Sequence, residues 1–108
     1  MQPHSQTPPE RRIIRLFPDY SRVYPLWESS TSTWDVGYTT GPEDYGLSAQ
    51  LSADLAEWQS FWETHADPFE GWDAEANRQR WLRDGRSLTK RLSDEVAEFA
   101  DVNAEFEQ

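Results

Sequence analysis

RRIIRLFPDYSRVYPLW, residues 11–27, is the stretch that decides the fold. Ile13, Ile14, Leu16 and Phe17 make a short β-branched and aromatic run closed by Pro18 and Asp19, which predicts a strand over Ile13–Phe17 with a hard stop. Arg15 lies between Ile14 and Leu16 and marks the wet face, so Ile14 and Leu16 should point into the core. The following segment, Tyr20–Trp27, is too rich in turn residues to continue the strand. Its Tyr20, Val23, Tyr24, Leu26 and Trp27 are nonetheless too apolar to be left in water, so it is expected to fold back over the core as a loop.

Working outward, residues Glu28–Thr33 are a serine- and threonine-rich loop without period. Trp34, Val36 and Tyr38 alternate with polar or small residues and form a candidate second strand. TTGPEDYG, residues 39–46, is a turn leading into a first helix that Ser48 caps, with Leu47 as a hydrophobic staple. Leu51, Leu55, Trp58 and Trp62 then fall at steps of four, three and four, until Asp67-Pro68 ends the helix. DPFEGW, residues 67–72, is a turn, and Asp73 is the expected cap of a second helix. Trp81, Gly85, Leu88, Leu92, Val96 and Phe99 keep one phase through Gly85, so a single long helix is expected, with Gly85 where a large neighbour such as Trp58 or Trp62 comes close. Val102, Ala104 and Phe106 alternate with polar residues, which suits a strand beside Ile13–Phe17 with Arg11 and Arg15 facing glutamates; a helix continuing through Ala104 is the competing reading. The fold expected is α+β, two antiparallel helices packed on a small two- or three-stranded sheet. Residues 1–10, with three prolines, read as a disordered tail, and 11–108 as a single domain.

The strand with Asp19-Tyr20 and then Pro25-Leu26-Trp27 resembles a family of small uncharacterised actinobacterial proteins that open with an N-terminal strand followed by Asp-Tyr and Pro-Leu-Trp. Leu47-Ser48, Leu51, Leu55 and Trp58 look like that family's first helix, and Gly85-Arg86 with Leu88 and Leu92 like its second. Where members often carry a cysteine and a tryptophan before the Pro-Leu-Trp, this chain has Val23 and Tyr24. The resemblance implies no activity.

Charge bounds the function. The net charge is −10, and from Val23 to Asn77 eleven acids stand without one lysine or arginine: Glu28, Asp35, Glu43, Asp44, Asp54, Glu57, Glu63, Asp67, Glu70, Asp73 and Glu75. Six of the ten basic residues crowd into Arg78–Arg91, which reads as a solvated helix face. Direct nucleic-acid binding is not expected, because phosphate contacts need cations to release counterions. With no cysteine there is no disulfide and no thiolate ligand, and no apolar run is long enough for a membrane, so a cytoplasmic protein is expected.

Candidate chemistry is sparse. His65, between Glu63 and Asp67, could be a base or ligand, but its place at a helix end favours a simple interaction with the helix dipole. Asp67, Glu70 and Asp73 around Gly71 do not have EF-hand spacing. No phosphate loop, nucleophile elbow or zinc spacing occurs, and no cofactor or metal is expected. Trp58, Trp62 and Trp81 have core registers; Trp27, Trp34 and Trp72 fall in expected loops, where aromatics beside acids suit a protein-binding surface.

The reading favoured is a non-enzymatic, acidic protein-interaction module, immunity-like or a nucleic-acid mimic, inhibiting a basic protein partner. Its expected contact residues are Glu28, Trp34, Asp35, Glu43, Asp44, Tyr45, Glu70 and Trp72. The alternative is a small hydrolase or ligand-binding domain, whose mark would be a deep pocket lined by Trp27, Trp34 and Trp72 with two convergent carboxylates.

Overall fold

The computed structural model describes residues 11–28 and 39–107. The opening strand, β1 (Arg12–Leu16), is the centre of a three-stranded sheet. On one side it pairs antiparallel with β2 (Leu26–Glu28), Ile14 opposite Glu28 and Leu16 opposite Leu26. On the other it pairs parallel with β5 (Ala100–Ala104), from Arg12 opposite Ala100 to Leu16 opposite Ala104. Ile14 and Leu16 are wholly buried and Ile13 is partly exposed, the alternation that the strand period requires.

The expectation of a loop through Trp27 is corrected here. Leu26, Trp27 and Glu28 are a strand, because the chain needs only the Pro18–Pro25 excursion to reverse and run back along β1. Trp27 is buried rather than displayed: its ring stacks flat on Phe17, centroids 4.7 Å apart, and its indole N–H donates to the Phe17 carbonyl at 3.0 Å. Val23, expected to cover the core, is instead exposed, whereas the Tyr20 ring packs tilted against Trp62, centroids 4.3 Å apart, and its hydroxyl donates to the Ala66 carbonyl. The candidate strand at residues 34–38 and the tail at 1–10 lie outside the described residues.

A short 3-10 turn at Pro42–Asp44 leads to α1 (Ala49–His65). Ser48 caps α1 as expected, its hydroxyl oxygen accepting from the Leu51 amide. Glu95, at the far end of the second helix, reinforces the cap by accepting from both the Ser48 amide and its hydroxyl, at 2.8 and 2.6 Å. A carboxylate there also meets the positive end of the α1 dipole. Leu51, Leu55 and Trp58 form the buried stripe, with Gln59 beside them. The Asp67–Trp72 turn proves to be a small hairpin, β3 (Ala66–Asp67) with β4 (Gly71–Trp72).

The second helix, α2 (Glu75–Glu95), runs unbroken through Gly85. Its N-cap is Ala74, without a side-chain cap bond, and not Asp73, whose carboxylate is taken by His65 and Asn77. Trp58 of α1 and Trp81 of α2 stack face to face at 4.3 Å, and each indole N–H donates to the other residue's carbonyl, at 2.9 and 3.1 Å. That reciprocal clasp satisfies both polar handles inside the core. Phe106 packs edge-on against both rings, at 5.0 and 5.5 Å.

Gly85 lies under this aromatic group. A β-carbon placed there would come within 2.7 Å of Phe106 and 2.8 Å of Trp58. Alanine would gain about 1 kcal/mol of helix propensity, but it must push apart rings already locked by two hydrogen bonds. Gly85→Leu is therefore expected to destabilise the protein by about 1 to 3 kcal/mol through overpacking, read as a shift of the urea midpoint at constant slope. A neutral leucine variant would show the contact to be slack.

α2 stops without glycine or proline. Its last turn carries no basic residue and holds Asp94 and Glu95, which oppose the negative end of the dipole, while wholly buried Val96 anchors the exit. Ala100 then enters β5, so the strand reading of the C-terminal segment holds and the helix through Ala104 does not. Arg15 meets a glutamate as expected, Glu105, whereas Arg11 meets an aspartate, Asp101, both at 2.9 Å. No helix among the described residues is long and apolar enough to cross a membrane.

Candidate functional site

The residues expected to form a contact surface fall into separate places. Glu28 and Tyr45 face inward, only 1% and 6% exposed. Arg12 grips the Glu28 carboxylate with two nitrogens, at 2.9 and 2.7 Å; the Tyr45 hydroxyl donates to it at 2.9 Å and lies 2.9 Å from Thr40 Oγ1. The guanidinium also sits 5.1 Å over the Tyr45 ring. Burial pushes the Tyr45 phenol up, and the hydrogen bond to Glu28 raises Arg12. These two residues consequently hold the sheet to the turn ahead of α1 and present nothing to a partner. Sequence alone could not show this, because an acid in a polar run carries no mark of the arginine that will meet it.

Glu43 and Asp44 are exposed beside the N-terminal end of α1, and Glu70 is exposed beyond its C-terminal end. With 17 residues between its ends, α1 separates the two groups by about 25 Å at 1.5 Å per residue. Trp72 is half-buried, its ring 5.5 Å from Trp81 and 6.4 Å from Phe61, so it roots the hairpin in the core. Trp34 and Asp35 lie outside the described residues.

At the hairpin, Asp67 Oδ1 accepts from the amides of Phe69 and Glu70, at 2.7 and 2.9 Å, and these bonds hold its carboxyl below the usual range. Gly71, at φ +82, turns the chain into β4, a backbone state that a β-carbon would strain. Phe69 stands at the tip, 93% exposed. The sequence reading does not single it out, because one aromatic in a turn shows no period. The available signal was its place between Pro68 and Glu70, in a turn too tight to fold a side chain back.

His65 ends α1, with its ring against Phe61 and Nδ1 2.8 Å from Asp73 Oδ2. The bonds from Asn77 and His65 keep the Asp73 carboxyl low. Among the described residues no three or more histidines, cysteines or carboxylates are grouped so as to hold a metal ion. A groove of about 210 Å³ between the helices brings Asp54, Glu57 and Asp84 near Arg80 and Arg91. Two of these acids are ion-paired, Asp54 with Arg91 at 2.8 Å and Asp84 with Arg80 at 3.7 Å. The pocket imagined for the alternative reading is not formed by the two described tryptophans: Trp27 lies in the sheet against Phe17, whereas Trp72 lies in the hairpin against Trp81. Along the basic helix face Arg78 pairs with Glu75, Arg86 with Glu107 and Lys90 with Asp94, a salt-bridged solvent face of the kind expected.

Compared with known proteins, residues 12–104 match a family model described as Serratia CdiI immunity protein-like. No curated protein matches the chain.

Proposed function

The chain belongs to the Serratia CdiI immunity protein-like family, and from that premise we propose that it is a non-enzymatic module that binds a toxin protein and blocks it through a basic surface of that toxin. The observation that carries this reading is the family match, which spans β1 to β5 and so includes every element of the fold. Charge supports the choice of partner surface. A net charge of −10, with no lysine or arginine from Val23 to Asn77, repels itself at neutral pH, a cost that a cationic partner relieves. Exposed Glu43, Asp44 and Glu70 are available for such a contact. Whether the blocked surface normally holds nucleic acid, making the chain a mimic, turns on the toxin's own substrate.

The test is direct: the chain is co-expressed with the protein encoded beside it, and survival and complex formation are measured. Growth rescue with a stable complex is expected; toxicity unrelieved by the chain would defeat the reading. Steering by charge also predicts an association rate that falls steeply with salt, as the Debye length shrinks from about 10 Å at 0.1 M to about 3 Å at 1 M. Stopped-flow association at these two ionic strengths measures it, and a rate indifferent to salt would remove the acidic surface from the interface.

A further inference from the structure

We infer that Phe69, held out at the tip of the β3–β4 hairpin, is the apolar anchor of the interface, inserting into an apolar pocket rimmed by lysine or arginine on the toxin partner. This rests on the immunity reading and names the surface that executes it. Three large hydrophobic residues are exposed among those described: Phe69 at 93%, Val23 at 65% and Ile13 at 37%. Phe69 is the aromatic one, and aromatic side chains are enriched at protein interfaces.

The tip is also rigid. The two amide bonds to Asp67 fix the turn, the Tyr20 hydroxyl ties its root at Ala66 with a 2.6 Å bond, and the Asp73 amide donates to the His65 carbonyl at 2.9 Å. An anchor whose backbone is already held in place has less freedom to lose on docking. Below it two shallow clefts share Glu63: one runs along Tyr20 and Trp72, the other along Val23 and Gln59. The second exposed apolar residue, Val23, therefore borders the same end of the molecule. At the opposite end, among the described residues, Tyr45 beside Glu43 and Asp44 is buried.

Charge selects the occupant. Glu63, Asp67, Glu70 and Asp73 surround the tip and are all exposed. Nucleic acid would be repelled, and a two-fold contact with a second copy would set the same acids face to face. A cationic protein surface with an apolar hollow satisfies both the ring and its rim.

The experiment uses the full chain and the purified product of the adjacent reading frame, with dissociation followed by surface plasmon resonance. Phe69→Ala should speed dissociation roughly tenfold or more, as loss of an interface anchor does, while Phe69→Tyr stays near the unaltered chain. Thermal unfolding should not move, because the ring makes no core contact. Glu63→Gln with Glu70→Gln should instead slow association. Tight binding that Phe69→Ala leaves within twofold overturns the anchor alone. No binding by the unaltered chain overturns the anchor and the immunity reading together. Self-association seen by ultracentrifugation and abolished by Phe69→Ala would assign the tip to a second copy and overturn the proposal.

Discussion

Glu28→Ala should lower stability by about 3 to 5 kcal/mol, the cost of breaking a buried ion pair from one side. The carboxylate is almost wholly buried, and it receives two nitrogens of Arg12 and the Tyr45 hydroxyl. Removing it takes the carboxylate away from a guanidinium whose side chain is only 18% exposed and takes one of two hydrogen-bond partners from a buried phenol. The desolvation of the guanidinium would then lose the carboxylate that offsets it. Urea unfolding followed by tryptophan fluorescence reads the loss, and a change below about 1 kcal/mol would mean that water takes the place of the carboxylate. Replacing the group together with the hydroxyl that Tyr45 also meets, with Arg12→Met, Glu28→Leu, Tyr45→Phe and Thr40→Val together, should restore most of the stability, because it removes both ends of these hydrogen bonds rather than one.

Leu16→Ala is expected to cost about 2 to 5 kcal/mol, the range for truncating a buried leucine that leaves a cavity. Leu16 is wholly buried, in register with Leu26 on one side and Ala104 on the other. Both neighbours are fixed by backbone ladders, so the sheet has little freedom to collapse into the space. The urea midpoint measures this as well; a loss under about half a kcal/mol would place the strand outside the core.

Much of this fold was legible because hydrophobic period survives without tertiary context. The four-three steps of Leu51, Leu55 and Trp58, and the four-three-four steps of Trp81, Gly85, Leu88 and Leu92, lead to the two buried helix stripes. β1 was legible from its β-branched run, and its tie to the C-terminal strand from the alternation that ends at Phe106. β2 was not, since three residues, Leu26-Trp27-Glu28, are too few to show a period, and Pro25 argued for a loop. The parallel direction of β5 depends on the path of the intervening chain, which no local pattern states. The contact surface was the least legible part. Glu28 and Tyr45 look exposed in a polar stretch and are held inward with a distant arginine, whereas Phe69 is only one aromatic of a turn until the hairpin displays it.

The two neighbours of β1 are reached by very different routes. β2 begins ten residues after β1 ends, at Leu26 against Leu16, but β5 begins only at Ala100, after both helices and the hairpin have been traversed. Closing so long a loop is an entropic debt that no part of the sheet can settle alone, since each doubling of loop length adds about 0.6 kcal/mol. The helices are themselves the crossover that brings β5 home, and Glu95 fastens the end of that crossover to the start of α1. No cut between elements therefore leaves a sheet fragment and a helix fragment that could each stand by itself, and the hairpin bearing Phe69 is carried on a body that must order as one.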